Sequence, residues 1–568
     1  MSGEADRGAG GGARARGAAA SPEGQPEGRH FARGLLIVFL SALLLRLAYL
    51  WELRDADVSY ILVGDAYLYD RWGREIARGA WLGDTVFYQA PLYPYFLGAL
   101  YWLLPPSVMV VRLVQALLGA TTCVLLALAG RAFFSPAVGL IAGGILAAYA
   151  PAIFFDGLIQ KAVLDLLLAT ALLWLLGGLG AGPGAGRIAA AGLALGLLCL
   201  TRENALTLVP VIGAWLLVAF GVPPARRQLR YAALFLCGIA LILGPVALRN
   251  RVVGGEWFLT TAQLGPNFFI GNNARANGQY APLRSGRGDP RLERQDATEL
   301  AEAARGHRLT AGEVSRYWTE RTLRDVRAEP GRWLRLLGWK LALTWNADEI
   351  VDSEDPAVYG DSSVVLRGLG RLVHFGTVAP LAGVGLWITR GRWRRLSLLY
   401  LVLAAVTASV VLFYVFARYR YLLVPGVVLF AAAGVQGAVE AWRGRRWREL
   451  AVAAAILGVA ALAVNLPLVR DTTSRAVMYR NMGATLGREG LPEEALRYYT
   501  KAVAANPAYV EARLSLARVL ATLGRRDEAI GEYLMVLALR PDLREAESGL
   551  RALLTAPLPR ARAPVPSR

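Results

Sequence analysis

The sequence predicts a mainly α-helical protein that crosses a membrane about eleven times and ends in a helical repeat. Three observations lead to this fold class. Of the 568 residues, 55% are hydrophobic and only 18% are charged, which is an apolar composition for a soluble domain. Apolar runs of spanning length alternate with short arginine-rich loops. After Arg470 the composition becomes that of a soluble module, in which a pattern recurs every 34 residues.

The formal net charge of +19 could indicate nucleic-acid binding, but the positions of the arginines argue against it. They fall in short loops between apolar runs, as in membrane proteins whose cytoplasmic loops are positively charged. The three cysteines lie inside apolar segments, and the three histidines lie far apart in sequence. We therefore expect no nucleic-acid partner, no disulfide and no metal site with histidine ligands.

The chain divides into a basic, disordered tail (1–31), a membrane domain (32–470), a repeat domain (471–556) and a short disordered tail (557–568). The membrane domain carries two outer loops, 52–107 and 249–363. The predicted spans are Gly34–Trp51, Val108–Gly130, Ala137–Phe155, Leu158–Leu179, Ile188–Leu200, Ala205–Phe220, Tyr231–Leu248, Leu366–Ile388, Leu396–Phe416, Tyr421–Val439 and Leu450–Leu468. The first is interpreted as an uncleaved anchor with a cytoplasmic N-terminus.

The apolar segment Pro91–Leu104 decides the topology. It is shorter than the roughly 20 residues that a span needs, and it contains tyrosines and a tryptophan that suit an interfacial helix. If it lies on the outer surface, every arginine-rich loop further along the chain falls on the cytoplasmic side. This interpretation places the loops 52–107 and 249–363, and the repeat domain, outside a bacterial inner membrane.

The repeat is defined by residues that keep their identity at a fixed offset. The pairs are Gly490 and Gly524, Ala495 and Ala529, Tyr499 and Tyr533, Pro507 and Pro541, and Leu486 and Leu520. The period and the pattern resemble tetratricopeptide repeats. Helices near Ala476 and Glu545 are expected to cap the two repeats, and a protein partner or acceptor is expected to bind them.

Asp65 is the candidate catalytic residue of the first outer loop. It follows Gly64 at the start of an amphipathic helix, with Leu68, Trp72 and Ile76 on the same face. That apolar face is expected to lie against the membrane. A structural interpretation is equally open from the spacing, because aspartate after glycine is a common helix N-cap.

The first loop then matches a known pattern. GDAYLYDRWGREIARG, QAPLYPYFLGALYWLL and VRLVQALLGA resemble the first outer loop and second span of the GT-C membrane glycosyltransferases. The similarity is to the branch of protein O-mannosyltransferases and lipid A aminoarabinose transferases. LTRENALTLVP, NFFIGNNARANGQY and RYRYLLVPGVVL fit the same branch, and the resemblance covers about Phe31 to Val469.

The resemblance implies an activity and its residues. A sugar on a polyprenyl phosphate would be transferred to an acceptor in the cell envelope, which could be a protein, a lipid or a glycan. Asp65 would be the general base, with its pKa raised by partial burial, and the sugar carbon would be inverted. Asp156, in the next outer loop, ranks second as a carboxylate. No cofactor and no metal are expected, since neither a nucleotide loop nor metal-ligand spacing is visible.

Cations would hold the lipid phosphate, since phosphate is the leaving group. The ranked candidates for substrate and lipid-phosphate binding are Arg418, Arg420, Lys161, Arg112, Arg202 and Arg249, with Tyr67, Asn272 and Asn273 as further candidates. Each has a structural alternative. Lys161 is four residues before Asp165 and could form an intrahelical ion pair. Arg418 and Arg420 could snorkel, and the Gly-Asn-Asn patch could be a turn.

Two other classes of function remain open at this point. A lipid or polysaccharide transporter would line a path with polar residues on several spans, whereas these polar residues concentrate at the outer ends. An envelope ligase or polymerase of O-antigen type would place its key groups in the later loop, Arg249–Ser363. In all three cases the predicted partners include membrane lipids.

Overall fold

The computed structural model describes residues 24–177, 184–218, 226–284, 290–469 and 473–555. Within these ranges the protein consists of helices and loops, with no β-strand. The predicted fold class, a mainly α-helical multi-pass membrane protein with a helical C-terminal module, is confirmed. The predicted tail 557–568 and the first 23 residues lie outside the described ranges.

The first three helices of the described residues comprise a candidate span and the two helices of the loop that contains Asp65. They are α1 (Gly24–Leu53), α2 (Asp65–Ala77) and α3 (Leu92–Leu103). The first helix begins earlier than the predicted span. At 1.5 Å per residue α3 is about 18 Å long, too short to span a membrane.

The buried face of α2 differs from the prediction. It consists of Asp65, Ala66, Tyr69, Gly73 and Ile76, whereas the residues expected beside Asp65 and Ile76 are only half-buried. This face packs on α3, because Gly73 has no side chain and lets the backbone of α3 approach closely: a Cβ there would lie 2.7 Å from Leu97. The helix is therefore held by protein rather than laid against lipid.

The next seven helices carry apolar segments of the membrane domain. They are α4 (Val108–Phe133), α5 (Pro136–Ala148), α6 (Ala150–Asp156), α7 (Ala162–Gly177), α8 (Ala185–Cys199), α9 (Leu208–Val218) and α10 (Arg226–Gly254). The pair α5 and α6 bends by 59° at Tyr149. A 3-10 turn, Glu203–Thr207, joins α8 to α9, at the place where the sequence predicted two short segments to meet.

The long later loop contains the next five helices of the described residues, and a sixth leads into the following candidate span. They are α11 (Leu264–Asn272), α12 (Pro290–Arg305), α13 (Ala311–Ala328), α14 (Pro330–Thr344), α15 (Pro356–Asp361) and α16 (Val364–Leu372). The Gly-Asn-Asn patch lies at the end of α11, so most of the stretch before it is helix rather than turn.

The remaining membrane helices are α17 (Phe375–Thr389), α18 (Ser397–Leu412), α19 (Ala417–Arg420), α20 (Val424–Arg443) and α21 (Trp447–Val464). Helices α17 and α20 approach closely because Gly385 has no side chain: a Cβ there would lie 1.8 Å from the Phe430 carbonyl oxygen. Among the described residues, six helices are long and apolar enough to cross a membrane, or seven with the bent pair, and four shorter apolar helices accompany them. These coincide with the eleven predicted segments.

The C-terminal module has five helices. They are α22 (Ser474–Arg488), α23 (Pro492–Ala505), α24 (Val510–Thr522), α25 (Arg526–Leu539) and α26 (Arg544–Thr555). Gly490 and Gly524 occupy equivalent turns with φ of 78° and 75°, a conformation that favours glycine. The module packs on the outer loops beside Asp65, since Thr485 donates to the Leu62 carbonyl at 3.0 Å.

Candidate active site

Asp65 is held at the first position of α2 by an unusual backbone. Gly64 has φ of 53°, and a Cβ on it would lie 2.3 Å from the Ser353 hydroxyl. The preceding turn therefore requires glycine and lies directly under the loop 350–354. Only 4% of Asp65 is exposed, and no side-chain cap bond is made to the helix. Asp65 therefore does not act as the N-cap of this helix, which was the structural alternative that the spacing allowed.

The Asp65 carboxylate is paired with Arg418, which also binds a second acid. Arg418 Nη1 contacts Asp65 Oδ2, and Arg418 Nη2 lies 2.5 Å from Asp352 Oδ2. Gln89 donates to Asp65 Oδ1 at 3.4 Å. Burial alone would raise the pKa of Asp65, but Arg418, with Lys161 and Gln89, outweighs burial and lowers it. The pKa shift is opposite to the predicted one, and its consequence is a carboxylate that stays ionised.

Asp65 opens on a cavity of about 660 Å³. One end lies among the ends of membrane helices, where Leu206, Val410 and Phe413 form part of the wall. The other end is walled by residues of α22, together with Tyr509 and Glu511 of the repeat module. The cavity therefore connects the apolar part of the molecule with the outer module, and Asp65 lies between the two ends.

Among the described residues, five cations border this cavity: Lys161, Arg202 and Arg418, which the sequence predicted, and Arg480 and Arg488 of α22. Arg202 is bound to Asp165 at 2.6 Å, so the predicted pairing of Lys161 with Asp165 is replaced by one from another segment. The Lys161 ammonium makes no hydrogen bond or ion pair with any residue that the structure describes, although only 6% of the residue is exposed. A buried ammonium without a bonded partner is costly, so Lys161 is a candidate for binding an anion.

Glu293 of α12 is one of the further carboxyl groups that face the same cavity, with Glu203, Asp352 and Glu511. The hydroxyls of Tyr88 and Tyr280 each donate to it at 3.0 Å. Burial raises the pKa of Glu293 to about 7, although the two tyrosines oppose the shift.

Sequence reasoning missed Glu293, Asp352 and Gln89, because no local spacing links them to Asp65. The only signal was the length of the later outer loop, to which Glu293 and Asp352 belong.

Several predicted site residues lie elsewhere. Arg420 binds Glu349 at 2.9 Å and the Asn346 carbonyl, and it does not border the cavity. Asp156 is closed in an ion pair with Arg46 at 2.7 Å, and both side chains are buried. The structure therefore separates both residues from Asp65, and neither can touch a ligand in the cavity without a rearrangement of the fold.

Four further candidates have structural partners outside the cavity. Arg112 donates to the Gly157 and Ser59 carbonyls at 2.8 and 3.0 Å. Arg249 donates to the Thr85 carbonyl at 2.6 Å and stacks on Phe87. The last two are amides at the end of α11: Asn272 accepts from Lys340 at 3.0 Å, and Asn273 donates to the Phe269 carbonyl at 2.9 Å.

Tyr67 does border the cavity, with Arg488 stacked 5.2 Å from its ring centre. Of the predicted residues, the cavity thus brings together Asp65, Tyr67, Lys161, Arg202 and Arg418. Within the described ranges, no group of three or more His, Cys, Asp or Glu side chains could hold a metal ion. The cation between Asp65 and Asp352 is an arginine of the chain itself.

Comparison of the sequence with known proteins identifies the C-terminal module. Residues 488–554 match the tetratricopeptide repeat family, which confirms the predicted repeat. An uncharacterized protein of Methanocaldococcus jannaschii is 34% identical over 73 residues, covering 13% of this chain and 85% of that protein. Over those residues the two chains belong to one family.

Comparison of the structure finds membrane glycosyltransferases. Oligosaccharyltransferase AglB of Archaeoglobus fulgidus, with an inhibitory peptide and a dolichol-phosphate, matches with TM-score 0.44 and 14% identity, over 84% of this chain and 58% of that one. The apo form of the Archaeoglobus fulgidus oligosaccharyltransferase matches with TM-score 0.43 and 16% identity, over 77% and 55%. ArnT of Cupriavidus metallidurans, bound to undecaprenyl phosphate, matches with TM-score 0.34 and 18% identity, over 74% and 79%.

The chain spans little more than half the length of the oligosaccharyltransferases it matches. These are proteins of the kind that the first-loop motifs resemble.

Proposed function

We propose that the protein is an inverting membrane glycosyltransferase that moves a sugar from a polyprenyl-phosphate donor to a cell-envelope acceptor on the outer face of a bacterial inner membrane. One observation carries the proposal. An ionised carboxylate, Asp65, and an unpaired buried ammonium, Lys161, border one cavity that reaches from membrane helices to the outer module. A base and an anion site are the two groups that this reaction needs.

The donor would enter from the membrane end of the cavity. Its lipid tail would lie among the apolar walls near Leu206 and Phe413, and its phosphate would meet Lys161, Arg202 and Arg418. Phosphate would supply the counter-charge that Lys161 lacks in the protein. Arg202 binds Asp165 through its Nε, and its Nη1 and Nη2 have no hydrogen-bond partner among the described residues, whereas both Nη atoms of Arg418 contact carboxylates. Lys161 and Arg202 would therefore be the cations with donors free to bind the phosphate.

Arg418 would couple donor binding to activation of the base. Without donor, Arg418 occupies Asp65 Oδ2 and Asp352 Oδ2. A donor phosphate would compete with Asp65 for the Arg418 guanidinium, while Asp352 would stay paired with Nη2 of Arg418. Asp65 would then be released from a strong counter-ion at the moment when its basicity is needed.

The chemical step follows from this placement. The acceptor hydroxyl gives its proton to the Asp65 carboxylate while its oxygen forms a bond to the anomeric carbon. The bond from that carbon to the phosphate oxygen breaks, and polyprenyl phosphate leaves with the electron pair. Since the base acts on the face opposite the leaving group, the product has the inverted configuration.

The test is sugar transfer from a panel of polyprenyl-phosphate donors carrying labelled sugars. The purified full-length protein is incubated with each donor and an extract of envelope acceptors, and the loss of donor label is measured. Asp65→Asn should abolish this loss. Asp70→Asn is the matched control, because Asp70 is on the same helix but is bonded to Arg74 at 2.8 Å and Tyr101 at 2.6 Å.

The result that would overturn the proposal is equal turnover by the wild type and Asp65→Asn. Movement of an intact donor across vesicles, with the sugar–phosphate bond unbroken, would instead indicate the transporter alternative. A base in the later loop, as the ligase alternative requires, would show as a loss in Glu293→Gln with Asp65→Asn active.

A further inference from the structure

The ends of three membrane helices meet on the side of the bundle that faces away from the cavity. Helix α20 runs parallel to α17, since Gly385 packs against the first half of α20, and a Cβ on Gly437, near its end, would lie 2.7 Å from Ile388. The short loop 444–446 joins α20 to α21. The end of α17, the end of α20 and the start of α21 therefore lie together.

This end of the bundle lies far from the Asp65 site. Helix α20 begins shortly after Arg418, which contacts Asp65, and it has 20 residues. At 1.5 Å per residue it is about 30 Å long, which is the thickness of the hydrocarbon core of a membrane. The loops 390–396 and 444–446 therefore lie at the membrane surface opposite the cavity.

Both loops are basic, and together with the adjoining helix ends they form a basic patch. Its arginines are all exposed: Arg390, Arg392, Arg394, Arg395, Arg443, Arg445, Arg446 and Arg448. Within the described ranges only Arg446 of this set forms an ion pair, with Glu449 at 2.9 Å. The acid at the end of α20, Glu440, accepts from Gln436 at 2.8 Å. Most of the positive charge of the patch is thus left without a carboxylate.

Exposed tryptophans lie among these arginines. Trp393, Trp442 and Trp447 are each more than half exposed, and the rings of the last two pack edge to face with centres 5.2 Å apart. Tryptophan is enriched where a membrane meets water, so these rings place the arginines at the depth of the lipid head groups. Further along α21, Val459 and Leu462 are exposed and leave an apolar surface for acyl chains.

Arg445 has a backbone conformation that disfavours arginine. Its φ is 53°, and no other non-glycine residue of the described ranges has a positive φ. Glycine is the usual residue in this conformation after a helix, yet Gly444 directly before it has an ordinary φ of −80°. The turn is closed by the Arg446 amide, which donates to the Ala441 carbonyl at 2.8 Å. An arginine at a position that favours glycine indicates a use for its side chain.

We propose that the basic patch binds a phospholipid with an acidic head group, whose phosphate contacts arginines of the two loops and whose acyl chains lie along α21. The planar guanidinium fork suits a phosphate, and basic pockets between membrane helices are a known form of acidic-lipid site. A nucleic acid or an acidic protein would not need tryptophans at this depth or the apolar surface beside them. The binding does not depend on the reaction at Asp65.

The test is a lipid competition measured by native mass spectrometry. The purified full-length protein in detergent receives equal amounts of dioleoyl-phosphatidylglycerol and dioleoyl-phosphatidylcholine, which share their acyl chains. The wild type should retain the acidic lipid at least about tenfold more often, since each arginine near the head group adds to the attraction. Rising salt should weaken the preference.

Arg392→Gln together with Arg445→Gly should reduce the preference to about twofold or less. Glycine adopts the φ of Arg445 without strain, so the turn should be kept. Arg226→Gln with Arg230→Gln is the matched control, because it removes two exposed arginines at the start of α10. This control should leave the preference unchanged.

Equal retention of the two lipids by the wild type would overturn the proposal. So would an equal loss of preference in both double variants, since the net charge of the protein rather than this patch would then be responsible. Displacement of the acidic lipid by equimolar inorganic phosphate or a short RNA would also overturn it, because the patch would then be a site for a soluble anion.

Discussion

Two buried acid–arginine arrangements of the membrane domain differ in what surrounds them. Arg46 and Asp156 form a closed pair, packed so tightly that a Cβ on Gly119 would lie 2.0 Å from Asp156 Oδ2. The side chains of Asp65, Arg418 and Asp352 are 5%, 12% and 23% exposed, against 1% and 2% in the closed pair. They border a cavity, with Lys161 on the same cavity wall. A charge in an apolar segment is a functional candidate by default. Access to a ligand distinguishes the Asp65 group, which borders a cavity, from the closed pair of Arg46 and Asp156.

The largest expected effect tests directly whether Asp65 and Asp156 differ in this way. Asp65→Asn should lower the transfer rate by about 10²–10⁴-fold, the usual contribution of a general base, while the thermal unfolding temperature changes little. Asp156→Asn should destabilise the fold by about 3–5 kcal/mol, because Arg46 is left buried without its partner. Rate per folded molecule, from transfer assays normalised by size-exclusion chromatography, separates the two. Loss of rate without loss of fold in Asp156→Asn would contradict the distinction.

A second test compares two buried lysines. Lys161→Met should raise the KM for the donor by about ten- to a hundredfold, because a charged hydrogen bond to phosphate contributes about 1.5–3 kcal/mol. Lys340→Met is the control, since Lys340 is bonded to Asn272 outside the cavity. Initial rates over a range of donor concentrations measure the effect. An unchanged KM in Lys161→Met would remove this lysine from the phosphate site.

The pH dependence distinguishes Asp65 from Glu293, which are two of the carboxyl groups that face the cavity. A base is active when deprotonated, so activity is lost as pH falls through its pKa. Arg418 lowers the pKa of Asp65 below its ordinary value of 3.8, so kcat/KM should stay level down to about pH 5. Glu293 has a pKa of about 7 and would give a fall below neutrality. A fall near pH 7 that disappears in Glu293→Gln would assign the base to Glu293.

The smallest expected effect concerns stability. Burial lowers the pKa of Lys340 from 10.5 to about 7. Between these values the unfolded chain binds more protons than the folded one, so stability rises with pH from about 7 to about 10. Lys340→Met should flatten this rise. Unfolding temperatures at pH 7 and pH 9 in detergent measure it, and a slope that survives the substitution would locate the cause elsewhere.

The sequence was informative wherever a periodicity or a local motif carries the information. The spans, the Asp65 turn and the repeat all follow from such patterns. Arg418 and Arg420 show the limit of such patterns, because the sequence alone ranked both as candidates for binding the lipid phosphate. In the short helix α19 they are two positions, or about 200°, apart, so one faces Asp65 and the other faces Glu349.

The residues that were missed share another property. Asp352 and Glu293 reach the cavity from a long loop whose path no local pattern predicts. The partner of Asp165 was misassigned for a related reason: a nearby lysine at helical spacing competes with an arginine brought by a different segment. Pairings over long sequence separations depend on packing, which composition and spacing do not encode.

The seating of α22 has a consequence for how this protein can be dissected. A truncation after the last membrane helix would remove one wall of the cavity that Asp65 borders and open that cavity to bulk water. Exchanging repeat modules between such chains would accordingly replace part of the cavity wall.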